Sequence, residues 1–367
     1  MKILIITNNS GGLYKFRKEI IESMINANHE VHITLPDREY MKNLTDMGCI
    51  YHRIEFERRK INIINELKLI SKYNKTVKNI QPDIIFTYTI KPNIYGAVAA
   101  KINRIPYIMN ITGLGSTFQK KSILSMIITS MYKIAGEKAR RIFFQNRTNM
   151  ELFLNAKIVN ENQAKLIPGS GVNLSFHTFE DYPADDGTLR FLFIGRLMKD
   201  KGVAELIEAA KRIKSKYDNT EFNLIGFCEE EFTEEFNRLN KDNTVIWHGQ
   251  QDDVHAFIKT HHATILPSYH EGMANVLLES ASSGRPVLAS KIPGCAETFD
   301  EEVSGFGFDV KSVDSLEKTI VKFIGLPYEQ KKAMGIAGRK KVEREFDRNI
   351  IIDAYMNEID KIQKQVN

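Results

Sequence analysis

Two series of short, unbroken apolar runs, each run separated from the next by a helical pattern, limit the chain to one kind of architecture. KILIIT (residues 2–7) opens the first series, which continues through VHITL (31–35), CIYHRI (49–54), DIIFTY (83–88), PYIMNI (106–111) and RIFFQN (141–146). LRFLFIG (189–195) opens the second, followed by EFNLIG (221–226), TVIWHG (244–249), ATILP (263–267), PVLAS (286–290) and GFGFDV (305–310). A strand whose two faces are both buried reads as a continuous apolar run, and helices between such strands cover both faces of a parallel sheet. The expectation is two doubly wound α/β domains, and a chain of 367 residues is long enough for two cores. The divisions expected are 1–175, a linker at 176–187 where FEDYPADDG collects turn formers and acids, 188–346, and a final helix at 347–367.

Inside the second series, residues 268–295 place two carboxylates at the mouth of a helix. A helix is expected over about 275–283, with Asn275 as its N-cap and Gly284 and Pro286 ending it. Its first backbone N–H groups, from Gly272 to Val276, and its dipole would favour phosphate or a polarised oxygen. Glu271 precedes the helix, and Glu279 lies about 6 Å along the axis from Asn275. A lone pair of glutamates near a helix start is more often capping than chemistry, so the surrounding pattern has to decide.

HEGMANVLLESASSGRPVLAS (270–290) resembles the E-x7-E signature of the retaining glycosyltransferases of family 4. FIGRLMKDKGVAELIEA (193–209) is similar to the strand, loop and helix that hold the donor diphosphate in that family. LIPGSGVNLSFH (166–177) resembles the segment leading out of its first domain. The resemblance implies the GT-B architecture, two Rossmann-like domains facing a central cleft, with the final helix crossing back to the first domain. It implies transfer of a sugar from a nucleotide donor with retention at the anomeric carbon.

Residue roles follow from the same resemblance. Arg196 and Lys201 match the diphosphate-binding pair, whose charge offsets what develops on the leaving group. The N–H of Gly12 would add a donor from the other domain. Glu271, with Met273, Ala274, Asn275 and Val276, would hold the transferred sugar, and Glu279 the ribose. The base would sit near Gly226 and between Gly249 and Val254. His270 is expected to be a packing or hydrogen-bonding residue, not a base. The departing phosphate would take the acceptor's proton.

No D-x-D triplet and no His or Cys cluster with metal-ligand spacing occurs, so no metal and no cofactor beyond the nucleotide sugar is expected. Cys49, Cys228 and Cys295 are too scattered for a disulfide framework. At residues 8–12, NNSGG turns the chain toward a helix expected from about Tyr14, and the G-x-G-x-x-G dinucleotide pattern is absent.

Charge separates the halves. Residues 51–150 hold 18 Lys and Arg against 5 Asp and Glu. That excess points to an anionic partner. Nucleic acid is disfavoured, because aromatic residues are not interleaved with the cations. Two segments, 56–78 and 120–141, mix cations with apolar stripes as surface-lying helices do. No run reaches the ~20 apolar residues of a membrane span, so a cytoplasmic protein resting on the inner face of the membrane is expected.

FTYTIKPNIYG (86–96) with NITGLGS (110–116) is similar to enzymes of surface-polysaccharide and glycan assembly, among them transferases that add N-acetylgalactosamine to a polyprenyl-diphosphate-linked sugar. A UDP donor, an N-acetylhexosamine and such a lipid-linked acceptor are therefore expected, with Lys91, Thr112, Lys120 and Lys121 on the acceptor side. The family's first-domain histidine has no counterpart in ITGLGST (111–117). An epimerase or phosphorylase on the same architecture is the alternative.

Overall fold

The computed structural model describes residues 1–57, 62–114, 123–228 and 230–366. It divides into two units, Met1–Ser170 with Asn349–Asn367, and Gly171–Arg348.

The first unit alternates strand and helix: β1 (Lys2–Ile6), α1 (Ser10–Asn26), β2 (Glu30–Leu35), α2 (Met41–Asp46), β3 (Ile50–Arg53), α3 (Ile63–Ile80) and β4 (Ile84–Tyr88). A π-helical turn (Pro92–Gly96) runs into α4 (Ala97–Asn103). Then come β5 (Tyr107–Ile111), α5 (Ile123–Gly136), β6 (Arg141–Phe144), α6 (Arg147–Asn155) and β7 (Ala164–Leu166). All pairings are parallel, in the order β3-β2-β1-β4-β5-β6-β7.

Strand alternation explains why the runs had to be continuous. Ile3 and Ile5 face one side, where Leu13, Ile20 and Met24 of α1 cover them. Leu4 and Ile6 face the other, against Leu69 and Tyr73 of α3, Ala97 and Ala100 of α4, and Tyr132 of α5.

Two local expectations differ from what is observed. Helix α1 begins at Ser10, not near Tyr14, because the Asn9 side chain accepts from the N–H of Gly12 and the Asp37 carboxylate accepts from the N–H of Ser10 at 3.1 Å. Gly11 and Gly12 thus form the first turn of a capped helix. Strand β7 was not expected, since three residues with no apolar run carry too little pattern to register.

The second unit repeats the plan: β8 (Leu189–Ile194), α7 (Val203–Lys214), β9 (Thr220–Ile225), α8 (Glu230–Lys241), β10 (Ile246–Trp247), α9 (His255–Thr260), β11 (Ala263–Leu266), α10 (Asn275–Ser282), β12 (Val287–Ser290), β13 (Gly305–Phe308), α11 (Val313–Ile324) and α12 (Tyr328–Glu345). Its sheet is also parallel, in the order β10-β9-β8-β11-β12-β13. Residues 176–187 lie in this unit. Arg285, 1% exposed, donates to the carbonyls of Glu180, Asp181, Ile258, Lys259, Ser283 and Gly284, at 2.7 to 3.3 Å. One buried guanidinium therefore ties this segment to the ends of α9 and α10.

The last helix, α13 (Arg348–Val366), packs with the first unit's sheet. Tyr355 stacks on Phe86 with ring centres 5.3 Å apart and meets Phe143 edge-on at 5.0 Å. At the boundary of the second unit the chain runs beside itself, with the N–H of Val172 on the carbonyl of Phe346 at 2.8 Å and the N–H of Arg348 on that of Val172 at 3.0 Å.

Candidate active site

In the second sheet the chain order reverses between β8 and β11, which are neighbours. Open parallel sheets bind ligands at such switch points, outside the carboxyl ends of the strands. The loop leaving β8 carries Arg196 and Lys201, and the loop leaving β11 carries Glu271. The topology therefore brings residues 70 positions apart into one place.

Close backbone contact fixes the two loops together. Gly202 has φ +67°, and a Cβ built on it would lie 2.1 Å from the carbonyl oxygen of Pro267. The N–H of Tyr269 donates to the carbonyl of Asp200 at 2.9 Å. The Tyr269 hydroxyl reaches Glu205 at 2.6 Å. Lys201 Nζ then pairs directly with Glu271 Oε1, and Ser268 Oγ, fully buried, donates to the same oxygen at 2.7 Å. Both members of the pair are about a fifth exposed or less.

Arg196 is exposed and makes no side-chain hydrogen bond or ion pair among the described residues. His270 Nε2 stands 3.9 Å from Asp200.

Helix α10 starts at Asn275 as expected, but the N-cap is Ala274 and no side chain caps it. Asn275 Oδ1 is buried and has no hydrogen-bond partner among the described residues. The expectation of five open amides at Gly272 to Val276 is corrected in part. The N–H of Ala274 donates to the carbonyl of Gly294 at 2.8 Å, and that of Asn275 to Met273 at 3.0 Å.

The loop that supplies Gly294 packs closely beneath Glu271. Gly294 has φ +83°, and a Cβ there would lie 2.8 Å from the carbonyl of Glu271. Cys295, fully buried, has its thiol pushed well up by burial and then by the nearby Glu271 charge. Met273 and Ala274 are buried, and Val276 packs against the core.

Glu279 sits one helical turn along, with His177 Nε2 at 4.0 Å. His177 was not singled out in the sequence. Its backbone carbonyl accepts from Ser282 Oγ at 2.7 Å and from Arg339 at 3.0 Å, and its ring meets Phe176 and His255 edge-on. A histidine in a turn-rich stretch carries no periodic signal, so only the fold shows its place.

Gly226 has φ +142°, and a Cβ on it would lie 1.8 Å from the carbonyl of Gly195. Its N–H donates to the carbonyl of Gly249 at 2.8 Å, and its own carbonyl accepts from the Trp247 indole at 3.1 Å. The turns after β8, β9 and β10 therefore touch, while Val254 forms the N-cap of α9. Among the described residues, no group of three or more His, Cys, Asp and Glu side chains is placed to hold a metal ion.

In the first unit, the N–H of Gly12 is engaged by its own helix cap. Lys91 follows β4 and donates to Glu66 Oε1 and to the carbonyl of Glu57, each at 2.7 Å. Thr112 follows β5. Lys120 and Lys121 lie outside the described residues.

Residues 176–341 match the family model described as glycosyl transferases group 1, and residues 2–146 match the one described as glycosyl transferase 4-like. The chain is 27% identical, over the whole length of both proteins, to the N,N'-diacetylbacillosaminyl-diphospho-undecaprenol alpha-1,3-N-acetylgalactosaminyltransferase of Campylobacter jejuni. It is 24% identical to the UDP-Gal:alpha-D-GlcNAc-diphosphoundecaprenol alpha-1,3-galactosyltransferase of Escherichia coli, over 72% of each chain. Among solved structures, Anabaena HepE in complex with UDP and glucose superposes with a TM-score of 0.79 at 18% identity, covering 98% of this chain and 99% of that one. The fold is therefore that of the GT-B glycosyltransferases.

Proposed function

We propose that the chain, whose residues 176–341 and 2–146 match the group 1 and 4-like glycosyl transferase models, is a retaining, metal-independent transferase that moves an N-acetylhexosamine from UDP to a polyprenyl-diphosphate-linked sugar during surface polysaccharide or glycan assembly. The observation that carries this reading is the Lys201–Glu271 pair at the switch point of the second sheet.

An ion pair in a half-buried site keeps the site neutral until a ligand exchanges for both partners. A nucleotide sugar suits that exchange: its diphosphate takes Lys201, joined by the exposed Arg196, and its sugar hydroxyls take Glu271. Guanidinium and ammonium groups then offset the charge that grows on the leaving diphosphate, which is the largest electrostatic need of the step. Ser268 keeps Glu271 aimed by holding one of its oxygens. Glu279 would take the ribose hydroxyls. The phosphate oxygen released by the breaking glycosidic bond accepts the proton of the incoming acceptor hydroxyl, so no side-chain base is required.

The lipid-linked acceptor is proposed from the substrates named for the two relatives above. An outward apolar face on α5 supports docking at a membrane surface. Ile123, Met126, Ile127 and Ile134 are each at least half exposed, and Ile102 of α4 and Ile64 and Leu67 of α3 are also exposed. Lys68, Lys75 and Lys133 on α3 and α5 are exposed as well. Apolar side chains beside cations suit a headgroup layer containing anionic lipid. No helix among the described residues is long and apolar enough to cross a membrane.

The test is an assay of UDP release from a panel of UDP-sugars, with EDTA present and a short polyprenyl-diphosphate sugar as acceptor. Acceptor-dependent release with an α-linked product supports the reading. Conversion of the donor without acceptor points to an epimerase, and an inverted product would remove the retaining mechanism.

A further inference from the structure

The stretch from Ser268 to Glu271 is tied to the segment after β8 at more points than the Lys201–Glu271 pair alone. The N–H of Tyr269 donates to the carbonyl of Asp200 at 2.9 Å, and its hydroxyl donates to Glu205 Oε1 at 2.6 Å. Glu205 stands in the first turn of α7, four residues after Lys201, and Tyr269 stands two residues before Glu271. The Tyr269–Glu205 bond and the Lys201–Glu271 pair therefore join two short chain segments at both ends.

Three observations give the Tyr269 tie a role of its own. First, among the described residues the Tyr269 hydroxyl is the only hydrogen-bond donor to Glu205, whose Oε2 is buried without a partner. A carboxylate so placed is costly without its donor, so the bond resists breaking.

Second, the ring is confined from another element. Lys311, in the left-handed region at φ +62° just after β13, holds its ammonium 4.7 Å from the centre of the Tyr269 ring. Burial first, and then the bond to Glu205, raise the phenol, so it stays a donor.

Third, the tie uses no group that the donor would take. When a diphosphate and a sugar part Lys201 from Glu271, that pair no longer holds the two segments together. His270 and Asp200, 3.9 Å apart, are beyond hydrogen-bond reach. The bond between Tyr269 and Glu205 is then the side-chain hydrogen bond left between the segments among the described residues.

We propose that Tyr269 is a positioning residue for sugar transfer, keeping Lys201 and Glu271 in register through Glu205 once the donor has separated them. It rests on the transferase reading for the identity of the donor and the roles of that pair.

Kinetics and titration calorimetry on the full chain test it, with UDP, a UDP-sugar and a short polyprenyl-diphosphate sugar. Tyr269→Phe removes one oxygen and leaves the ring under Lys311. We expect its kcat/KM for the UDP-sugar to fall about tenfold, chiefly in kcat, with UDP affinity changed by less than about twofold. Glu205→Ala should match that loss, and the double variant should be no worse than either single one, because both remove the same bond. Glu205→Gln keeps an acceptor for the phenol and should recover activity to within about threefold of wild type. Full activity in Tyr269→Phe, losses that multiply in the double variant, Glu205→Gln as poor as Glu205→Ala, or UDP affinity falling in step with the rate would each overturn the proposal.

Absence of turnover with every UDP-sugar would sink the transferase reading, and binding then decides the tie. The affinity that the sugar adds over UDP alone should fall about fivefold in Tyr269→Phe and Glu205→Ala alike. An unchanged difference, or none in the wild type, would overturn the proposal. Turnover in the wild type with variants that act independently would keep the reading and sink the tie.

Discussion

The carbonyl oxygen of Pro267 occupies the space that any side chain at position 202 would need. Gly202 meets it at 2.1 Å from an ideal Cβ, in a backbone conformation at φ +67° that L residues rarely adopt. Gly202→Ala therefore has both a clash with backbone and a strained φ to overcome. We expect a loss of about 2 kcal/mol or more and, from displacement of Lys201 relative to Glu271, transferase activity reduced a hundredfold or more. Thermal unfolding alongside the UDP-release assay measures the two separately.

Exchange of the Lys201–Glu271 pair for a ligand makes a distinct prediction about its two members. Lys201→Ala should raise the donor KM and lower kcat together, by roughly 3 kcal/mol in kcat/KM. Glu271→Gln should leave UDP binding intact or slightly tighter, because Lys201 is released to the phosphates, while transfer falls sharply. Titration calorimetry with UDP decides it: weaker UDP binding in Glu271→Gln would mean that the pair does not exchange.

Two buried histidines give the second unit a pH dependence. His261 and His262 are both pushed down to about 4, by burial first. His262 Nδ1 accepts from the N–H of Arg190 at 3.1 Å, which requires the neutral ring. The folded pKa values lie below the unfolded value near 6.5, so the native state binds fewer protons. Stability should be full above about pH 6.5 and fall as pH drops toward 4. Unfolding midpoints across that range should slope less in His262→Gln, and an unchanged slope would assign the effect elsewhere.

Arg285 stands at the junction of three segments with carbonyl oxygens as its hydrogen-bond partners and the Tyr182 ring 5.8 Å from its guanidinium, and burial lowers it to about 10. Arg285→Met leaves those carbonyls without a donor, at a cost of about 3 kcal/mol or more. Arg285→Lys supplies three donors at most and should recover less than half of that. Chemical denaturation of the full chain would show the order wild type, Lys, Met.

The apolar face of α5 should govern membrane capture. Ile127→Asp with Ile134→Asp should abolish flotation on phosphatidylglycerol vesicles, and about 0.5 M salt should weaken it in the wild type. Flotation insensitive to both changes would remove this face from the account.

The parallel sheets were legible because unbroken apolar runs admit few arrangements, and Lys201 and Glu271 were singled out because the stretches that carry them resemble one family, whereas the switch point that brings them together follows from the strand order. What stayed hidden depends on contacts distant in sequence. His177 stands 4.0 Å from Glu279, with its carbonyl held by Arg339 and Ser282 from two other parts of the chain. The N–H groups of Ala274 and Gly12 looked open, since their acceptors, Gly294 and the Asn9 side chain, are matters of conformation. Lys91 read as an acceptor-side cation, and its partner Glu66 lies 25 residues away on another element. Asn275 looked like a cap because residue type favours it there, yet the chain begins the helix one residue earlier than a cap would require.

Synthesis from the ribosome meets this fold in an unusual order. The sheet that begins at Lys2 lacks Tyr355, Ile359 and Ile362 against Phe86 and Phe143 until α13 emerges. The unit at 171–348, contiguous in the chain, has all its parts first. The first-made half is thus the last to be completed, and it must wait with an uncovered apolar face while its neighbour folds. A chain cut short before α13 would keep the whole of the unit at 171–348 and leave the other half open.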